Sequence, residues 1–589
     1  MTAQTIAGVA ARQPASSADA SELRLFDGMA PFFTGVTGGE TNWSKTPFAR
    51  IEHRGRIPPG RIDAIVRAWE RYCREMTRIG YNAVAVDDLA HLVSHPWYPE
   101  SLRRLLADWH ALYARLFAVA RRLGLRIFAA TDYCFFNESI DGRLAETGGS
   151  PLDFFAKTAE IALRQHGLDG IVLRLGESDG VDVAGAFTSR LTARCSGEAR
   201  HVVARLLPLC ERARATLIVR TWTLGAFPLG DLIWNPATWD AVFGGLESEA
   251  LVVSLKHGEA DFFRYLDVNP LFFHGRQRKL IEFQARREYE GMGEFPSFTG
   301  WMHARHRGAL RAGGATMAGC SVVQAGGWSP WPRLAFVEDG SLWSELNLYA
   351  TLRIWRGESP EDAVRAFCAD RGQSFGDPET FLAFLRHADR AIELGLYIRE
   401  FAQRALYFRR VRIPPLVWVS WRDVTATGLV ALLHRHIVKD PARAVAEGRE
   451  AVADVEAMLA LAPSLGLPAG PLEFQRDTFR ILALAREALL GVATPETWCE
   501  LGALLPVYRS RYPEGYRFAL GPDSLAGADG LTRLMLRLVL RRGHRYRLHD
   551  RLMLTRPVSR AKIWLSRRLA RSLPVFVNQH GMSAEVLLR

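Results

Sequence analysis

Four charged side chains follow three neighbouring apolar runs near the middle of this 589-residue chain. Arg220 follows the run LIV, Lys256 and Asp261 follow LVVSL, and Glu288 follows LIEF. Short apolar runs of this kind are typical of buried parallel strands, and functional residues follow the carboxyl ends of such strands. Two carboxylates and two cations at three successive strand ends predict an active site that performs acid/base chemistry.

The other predicted strand ends add further candidate side chains. They are Asp88, Asp132, Arg174, Glu177, Asp179, Trp222 and Trp328. Carboxylates supply the acid and the base of glycoside hydrolysis, while aromatic rings stack on the apolar faces of sugars. This combination indicates a carbohydrate, and we expect an oligosaccharide or a glycoside as the substrate.

Metal and cofactor chemistry have weaker support in the sequence. There is no HExxH zinc motif, and the one HxH pair, His434 and His436, lies in a predicted helical region away from every strand end. Seven scattered cysteines without a CxxC pair argue against a disulfide framework or a cysteine zinc site. We therefore predict no metal and no cofactor.

Each candidate also has a purely structural interpretation. A single acid at a strand end is often a salt-bridge partner, and Glu288 in QARREYEG also fits the solvated face of a helix. Glu282 lies inside an apolar run and is the alternative inward-facing acid. Trp222, Trp328 and Trp331 equally fit packing in the core or at the rim. The positions of these side chains in space decide between the two interpretations.

Strand-like and helix-like segments alternate eight times, starting with Phe48–Arg54, which we predict as the first strand. Alternating units with apolar strands predict an α/β fold, a (β/α)8 TIM barrel. We place the barrel at residues 23–358, after a disordered leader at 1–22. A mainly helical domain follows at 359–530, with a structural or dimerising role, and a basic amphipathic tail at 531–589.

The net charge of +12 comes from the tail. Residues 531–589 contain 14 Lys and Arg but 2 Asp and Glu, which leaves 61 cations and 61 anions in the rest. We therefore expect no nucleic-acid partner. The tail fits three arrangements: packing on the barrel with its charges in solvent, contact with a membrane surface, or binding of an acidic partner.

Targeting signals are missing from the sequence as given. The start lacks a basic segment followed by an apolar core, and residues 312–332, the one uncharged run of sufficient length, are broken by Gly, Ser, Gln and Pro. We predict a cytoplasmic protein, with peripheral contact at the inner membrane through the basic tail as the alternative.

Four segments resemble the catalytic barrel of the family 67 glycoside hydrolases, the α-glucuronidases. KHGEADFF (Lys256–Phe263) resembles the family's KNGPIDFQ, and REY around Glu288, 27 residues after Asp261, resembles its QEY motif. IGYNAVAVDDL resembles GINGVVLNNVN, and ELNLYATLRIWRGESPEDAVRAF resembles a late stretch with NWYAFGRLAWNP and SAEEI. The resemblance extends from Ile51 to Cys368.

The resemblance implies catalytic roles for the matching residues. Asp261 and Glu288 correspond to the paired carboxylates that activate the attacking water. The family's general acid lies in an SEG motif at the end of strand four, where this chain has GESDG. The acid is therefore Glu177 or Asp179, and Glu177 is favoured because a one-residue insertion is as plausible as a change from Glu to Asp.

The resemblance also implies an acidic substrate, with some departures from the family pattern. Arg220 and Lys256 correspond to the arginine and lysine that hold the uronate carboxylate through charge-assisted hydrogen bonds. The family's N-terminal α/β domain is missing from this sequence, Glu259 adds an acid beside the site, and His257 replaces an asparagine. These departures put xylan-derived substrates in doubt while the acid/base frame persists.

We therefore predict a glycoside hydrolase that acts on an α-linked, acidic, glucuronic-acid-type sugar by an inverting mechanism, with acid and base carboxyls roughly 6.5–9.5 Å apart. One alternative is a non-catalytic carbohydrate-binding or polysaccharide-assembly protein at the membrane surface. Another is a lyase or isomerase that uses the same acids and needs a metal or a cationic base near the sugar C5, for which Lys256 and His257 are candidates.

Overall fold

The computed structural model describes residues 22–520 except for short gaps, and scattered residues after them. The gaps are 37–38, 177–184, 224–226, 325, 332, 338–339, 373–375, 409 and 427. After residue 520 the described positions are 540, 546, 548, 552, 555, 557–558, 560–562 and 564.

Eight parallel strands form a closed barrel, each paired with the next and the eighth with the first. They are β1 (Leu23–Asp27), β2 (Ala83–Asp87), β3 (Arg126–Asp132), β4 (Gly170–Gly176), β5 (Thr216–Thr223), β6 (Leu251–Lys256), β7 (Arg278–Gln284) and β8 (Met317–Val323). In register, Leu23 lies beside Gly319 of β8 and Leu25 beside Ala83 of β2. The predicted (β/α)8 barrel is confirmed.

The prediction for the first strand is wrong. Phe48–Ile51 forms one helical turn after Pro47, and the first strand is Leu23–Asp27. The five-residue run LRLFD supplies four buried positions and pairs with both neighbours, so it closes the sheet. In contrast, Phe48 packs face to face on His91, with ring centroids 3.8 Å apart. The other seven predicted strands lie where the sequence placed them.

Amphipathic helices surround the strands. They are α1 (Pro59–Ile79), α2 (Glu100–Arg122), α3 (Pro151–His166), α4 (Ser196–Ala213), α5 (Pro236–Phe243), α6 (Gly300–Ala312) and α7 (Leu342–Arg356). An additional helix, Glu138–Thr147, lies in the loop after β3. The helix α3 begins at Pro151, because the Ser150 side chain accepts the N–H of Asp153.

Side chains from the strands fill the interior of the barrel. The cluster contains Leu23, Leu25, Ala83, Phe128, Ala130, Val172, Ile218, Val252, Leu280 and Ala318. These residues pack the barrel axis, and five of them also line a cavity at the carboxyl ends of the strands: Leu25, Ala130, Val172, Ile218 and Leu280.

The region after the barrel is mainly helical. Its helices are α8 (Pro360–Arg371), α9 (Pro378–Gly395), α10 (Arg399–Ala402), α11 (Gly428–Ile437), α12 (Pro441–Leu461), α13 (Ala469–Leu490) and α14 (Pro495–Arg511). A three-stranded sheet, here called the C-terminal sheet, is formed by Val419–Ser420, Asp423–Thr425 and Arg517–Ala519. Glu40 of the barrel pairs with Arg422 and Arg517 of this sheet, so the sheet is attached to the barrel mouth.

The basic tail falls mostly outside the described residues. Within the part that is described, the hydroxyl of Tyr546 hydrogen-bonds the Asp231 carboxylate, whereas Leu548, Leu552 and Trp564 are exposed. No helix among the described residues is long and apolar enough to cross a membrane.

Candidate active site

A cavity of about 190 Å³ opens at the carboxyl ends of the barrel strands. Seven of the eleven candidate residues line it: Arg174, Arg220, Trp222, Lys256, Asp261, Glu288 and Trp328. Two others, Glu177 and Asp179, lie outside the described residues, and the carboxylates of Asp88 and Asp132 are engaged elsewhere as described below. The strand ends therefore deliver most of the expected side chains to one place.

Asp261 and Glu288 meet at the hydroxyl of Tyr289. This hydroxyl donates to Asp261 Oδ2 at 3.0 Å and also lies within hydrogen-bonding reach of Glu288. Burial, and next the negative charge of Asp261, raise the pKa of Glu288 to about 8 from an ordinary 4.5. At neutral pH Glu288 is therefore protonated, and the two carboxyls together carry one proton.

The turn after β7 places Glu288 at the cavity. The Gln284 side chain accepts the backbone N–H of Glu288 at 3.0 Å, which fixes the turn to the last residue of the strand. Gly326 after β8 lies so close that a Cβ atom there would be 2.4 Å from Glu288 Oε2. The glycine thus makes room for the carboxyl. The interpretation of Glu288 as a solvated helix residue does not hold, since it is 6% exposed.

Lys256 at the end of β6 forms an ion pair with Asp261. Its ammonium lies 3.8 Å from the ring centroid of Trp222 and 4.5 Å from that of Phe262. The backbone N–H of Phe262 also donates to Asp261 at 2.9 Å. Two aromatic faces and a carboxylate hold the ammonium in place, so Lys256 is a fixed positive charge beside the carboxyl pair.

Arg220 at the end of β5 donates two parallel hydrogen bonds, of 2.9 and 2.7 Å, to the Glu282 carboxylate. Ser254 donates a third, at 2.7 Å. Burial opposes the ionisation of Glu282, but the charge and hydrogen bonds of Arg220 outweigh it and hold the pKa of Glu282 below its ordinary value. Glu282, the alternative inward-facing acid, is therefore an ionised partner that orients Arg220.

Asp132 and Arg174 belong to a buried ion network beside the cavity. Arg174 pairs with Asp132 at 2.8 Å and with Asp87 at 3.0 Å, and Lys45 pairs with Asp132 from the other side. Despite burial, these cations lower the pKa of Asp132 to about 2. Lys45 was not predicted from the sequence, because it lies in the long segment after β1 and not directly at the end of a barrel strand.

Asp88 has a local partner in the structure. It caps a short 3-10 turn, Leu89–His91, and its carboxylate lies 2.5 Å from His91 Nδ1. Burial disfavours a charged His91, but Asp88 and Glu52 raise its pKa to about 9. Asp88 therefore stabilises the loop after β2, and the DLAH spacing was a sequence signal for this contact.

Three tryptophans contribute aromatic surface to the cavity: Trp222, Trp328 and Trp421. Trp328 lies on a short strand that pairs with Thr41–Asn42 at the barrel mouth. Trp421 comes from the C-terminal sheet and lies parallel to Tyr289, with centroids 6.4 Å apart and planes 11° apart. Trp421 was missed because no local pattern connects residue 421 to a barrel strand.

A second cavity of about 70 Å³ adjoins the first. The two share Trp222, Asp261 and Tyr289, and residues 410–420 form part of the outer wall of the second. The region after the barrel, predicted to be structural or dimerising, therefore also forms walls on both sides of the carboxyl pair.

The described residues contain no group of three or more His, Cys, Asp and Glu side chains placed to hold a metal ion. What the cavity does offer is an ionised carboxylate, a neutral carboxylic acid, fixed cations and aromatic faces. This set can bind a polyhydroxylated ligand and transfer a proton to or from it.

No protein-family model and no curated protein matches the chain. Solved structures do show similarity. A family 138 glycoside hydrolase that targets pectin rhamnogalacturonan II is 10% identical, with a TM-score of 0.48 over 96% of this chain and 64% of that enzyme. This chain thus spans less than two thirds of the length of that relative.

Two further structures cover different chemistries. The O-GlcNAc hydrolase of Thermobaculum terrenum, as a point mutant, is 11% identical, with a TM-score of 0.35 over 76% of this chain and 85% of that one. The D-allulose 3-epimerase of Methylomonas sp. is 13% identical, with a TM-score of 0.31 over 57% and 98%. Since all three TM-scores are below 0.5, these similarities carry no argument about function, and the resemblance to family 67 stays a prediction.

Proposed function

We propose that this protein is a glycoside hydrolase that acts on an α-linked, acidic, glucuronic-acid-type sugar in oligosaccharides by an inverting mechanism. The observation that supports it most is the meeting of Asp261 and Glu288 at one hydroxyl in an open, aromatic-walled cavity. Two carboxyls that share one proton are a common arrangement for acid/base catalysis, because their environments separate their pKa values.

In the proposed reaction, Asp261 is the base and Glu288 its protonated partner. The ionised Asp261 accepts a proton from a water that attacks the anomeric carbon, and Glu288 and Tyr289 hold the hydrogen bonds around it. The leaving oxygen receives a proton from Glu177 or Asp179 at the end of β4, on the opposite face of the sugar. An inverting mechanism requires roughly 6.5–9.5 Å between the acid and the base, which leaves room for the water.

The acidic substrate is supported by the cations of the cavity. Arg220 and Lys256 both line it, and each is held in place by a carboxylate, Glu282 and Asp261 respectively. A substrate carboxylate would approach two cations whose positions are already fixed, so little ordering entropy is lost on binding. The same carboxylates also compete with the substrate for the cations. Neutral glycosides are therefore tested beside the acidic ones.

Hydrolysis of a panel of aryl α- and β-glycosides, glucuronides included, tests the proposal. We expect turnover of an α-glucuronide that falls at least a hundredfold in Glu177→Gln and in Asp261→Asn. Glu447→Gln is the matched control, because it replaces a buried carboxylate in the region after the barrel, away from the cavity. NMR of the first-formed sugar anomer then distinguishes inversion from retention.

The outcomes separate the parts of the proposal. Turnover only on neutral glycosides would keep the hydrolase and reject the uronate contact of Arg220 and Lys256. Equal activity of Asp261→Asn and the control would reject Asp261 as the base. Product with retained configuration would reject the inverting mechanism.

The ion pair between Lys256 and Asp261 favours one alternative function. The ammonium occupies the carboxylate that would otherwise bind the attacking water, so a barrel that binds sugar without cleaving it fits the same geometry. In that case we propose a carbohydrate-binding or polysaccharide-assembly protein. Saturable binding of a glycoside by the wild-type protein, with no turnover of any panel member, would favour this alternative.

A further inference from the structure

A large cleft lies at the opposite end of the barrel from the candidate active site. This basal cleft has a volume of about 1350 Å³ and is formed by the start of β1 and the ends of α1, α2, α6 and α7. Six arginines line it, Arg24, Arg78, Arg307, Arg311, Arg353 and Arg356, against one carboxylate, Glu22. The formal charge of the lining is therefore +5, whereas the chain before the basic tail is neutral.

Carboxylates account for part of this charge. Arg24 pairs with Glu22 at 3.5 Å, Arg78 with Asp370 at 2.8 Å, and Arg353 with Glu358 at 2.8 Å. The Glu22 carboxylate also accepts the indole N–H of Trp355 at 2.7 Å. Glu22, the one acid of the lining, thus already binds Arg24 and Trp355.

Arg307 and Arg311 are different. They lie four residues apart on α6, where like charges face each other and destabilise a helix. Among the described residues, neither forms an ion pair. Burial, and then the charge of Arg311, lower the pKa of Arg307, and the opposing charge of Glu22 offsets only part of this shift. Two neighbouring guanidinium groups whose charge is only partly offset, in a concave site, attract an anion that bridges them.

Helix ends explain only some of these arginines. Arg24 Nε donates to the carbonyl of Gly80 at the end of α1, and Arg307 Nε donates to the carbonyl of Trp355 in α7. Cations at such carboxyl ends are favourable. However, the bond made by Arg307 uses one nitrogen of a guanidinium that has five N–H donors. Capping therefore explains neither the other donors of Arg307 nor the size of the cleft.

We propose that the basal cleft is a binding site for a small molecule with two or more phosphate groups, held by Arg307 and Arg311 with the other arginines around it. Arginine matches phosphate because its planar fork donates two parallel hydrogen bonds to adjacent oxygens. The concave shape favours a compact ligand over an extended polyanion. This site is independent of the sugar chemistry proposed at the other end of the barrel.

Isothermal titration of the full chain with inorganic pyrophosphate at low salt tests this site. We expect saturable binding by the wild type and at least tenfold weaker binding by the double variant Arg307→Met/Arg311→Met. The matched control is Arg386→Met/Arg390→Met, because these arginines also lie four residues apart on one helix, α9, but each has a carboxylate partner. The control should bind pyrophosphate like the wild type.

Thermal unfolding of the same proteins separates a lost site from a lost fold. Without ligand, the double variant should still unfold in a cooperative transition, because the loss of the hydrogen bond from Arg307 to Trp355 is opposed by removal of the repulsion between the two guanidinium groups. With pyrophosphate, only the wild type and the control should gain stability. Absence of binding by the wild type, equal binding by the double variant, or equally tight binding of citrate would each overturn the assignment to a phosphate ligand.

Discussion

Replacing Glu288 by glutamine should stabilise the protein while it removes activity. Burial and the neighbouring Asp261 raise the pKa of Glu288 to about 8, so the folded protein holds a proton that the unfolded chain releases above pH 4.5. Ionised in the unfolded chain but protonated in the folded one, this carboxyl lowers stability as pH rises between those two values. A glutamine keeps the shape and never ionises.

The size of the effect follows from the pKa. Below pH 4.5 both states are protonated, and Glu288→Gln should match the wild type. At pH 7 the free energy of unfolding of the variant should exceed that of the wild type by 2.5 pKa units at ~1.4 kcal/mol each, or about 3 kcal/mol. Above pH 8 it levels off at about 5 kcal/mol.

Differential scanning calorimetry across this pH range is the assay. If the barrel melts as a cooperative unit of roughly 340 residues, about 3 kcal/mol raises its midpoint by about 4 °C. Glu282→Gln is the contrasting control, because Glu282 is ionised and bound to Arg220, so its loss should lower the midpoint. A Glu288→Gln variant no more stable than wild type at pH 8, or a gain that does not grow with pH, would refute the reasoning.

Three further outcomes are expected. Trp421→Ala should raise the KM for an oligosaccharide roughly fivefold or more through lost ring stacking, with Trp498→Ala as a control; equal KM values would remove Trp421 from the site. Protonated His91, paired with Asp88, should contribute about 3 kcal/mol to the free energy of unfolding. This contribution is complete below pH 6.5 and is lost as pH rises through 9. Calorimetry should therefore show the wild type losing its stability advantage over Asp88→Asn in that range. Deleting the basic tail, residues 531–589, should abolish co-sedimentation with vesicles that contain phosphatidylserine; binding that persists, or that also occurs with neutral vesicles, would reject a membrane-surface role.

The barrel was predictable because its signals are local. Each strand except the first is an apolar run between a helix end and polar residues, and seven of them were located correctly. The prediction of the first strand was wrong because Leu23–Asp27 is only five residues long and its partners, β2 and β8, lie far away in sequence. The run at Phe48–Arg54 also contains three apolar residues, and the closure of the sheet identifies Leu23–Asp27 as the strand.

The candidate site was predictable where strand ends supply it. Asp261, Glu288 and Lys256 come together because neighbouring strands end at one rim. The pairings between side chains were not predictable, since Lys45 and Trp421 reach the site from distant segments whose local sequence shows no sign of it. Asp88 shows the opposite case, in which a partner three residues away takes a side chain out of the site.

The attachment of the C-terminal sheet has a consequence for the timing of synthesis. The last barrel strand ends at Val323, whereas Trp421 emerges from the ribosome 98 residues later, roughly 5–20 s at usual elongation rates. The Glu40 partner Arg517 follows later still. A nascent chain can therefore close its barrel before the site has its last wall.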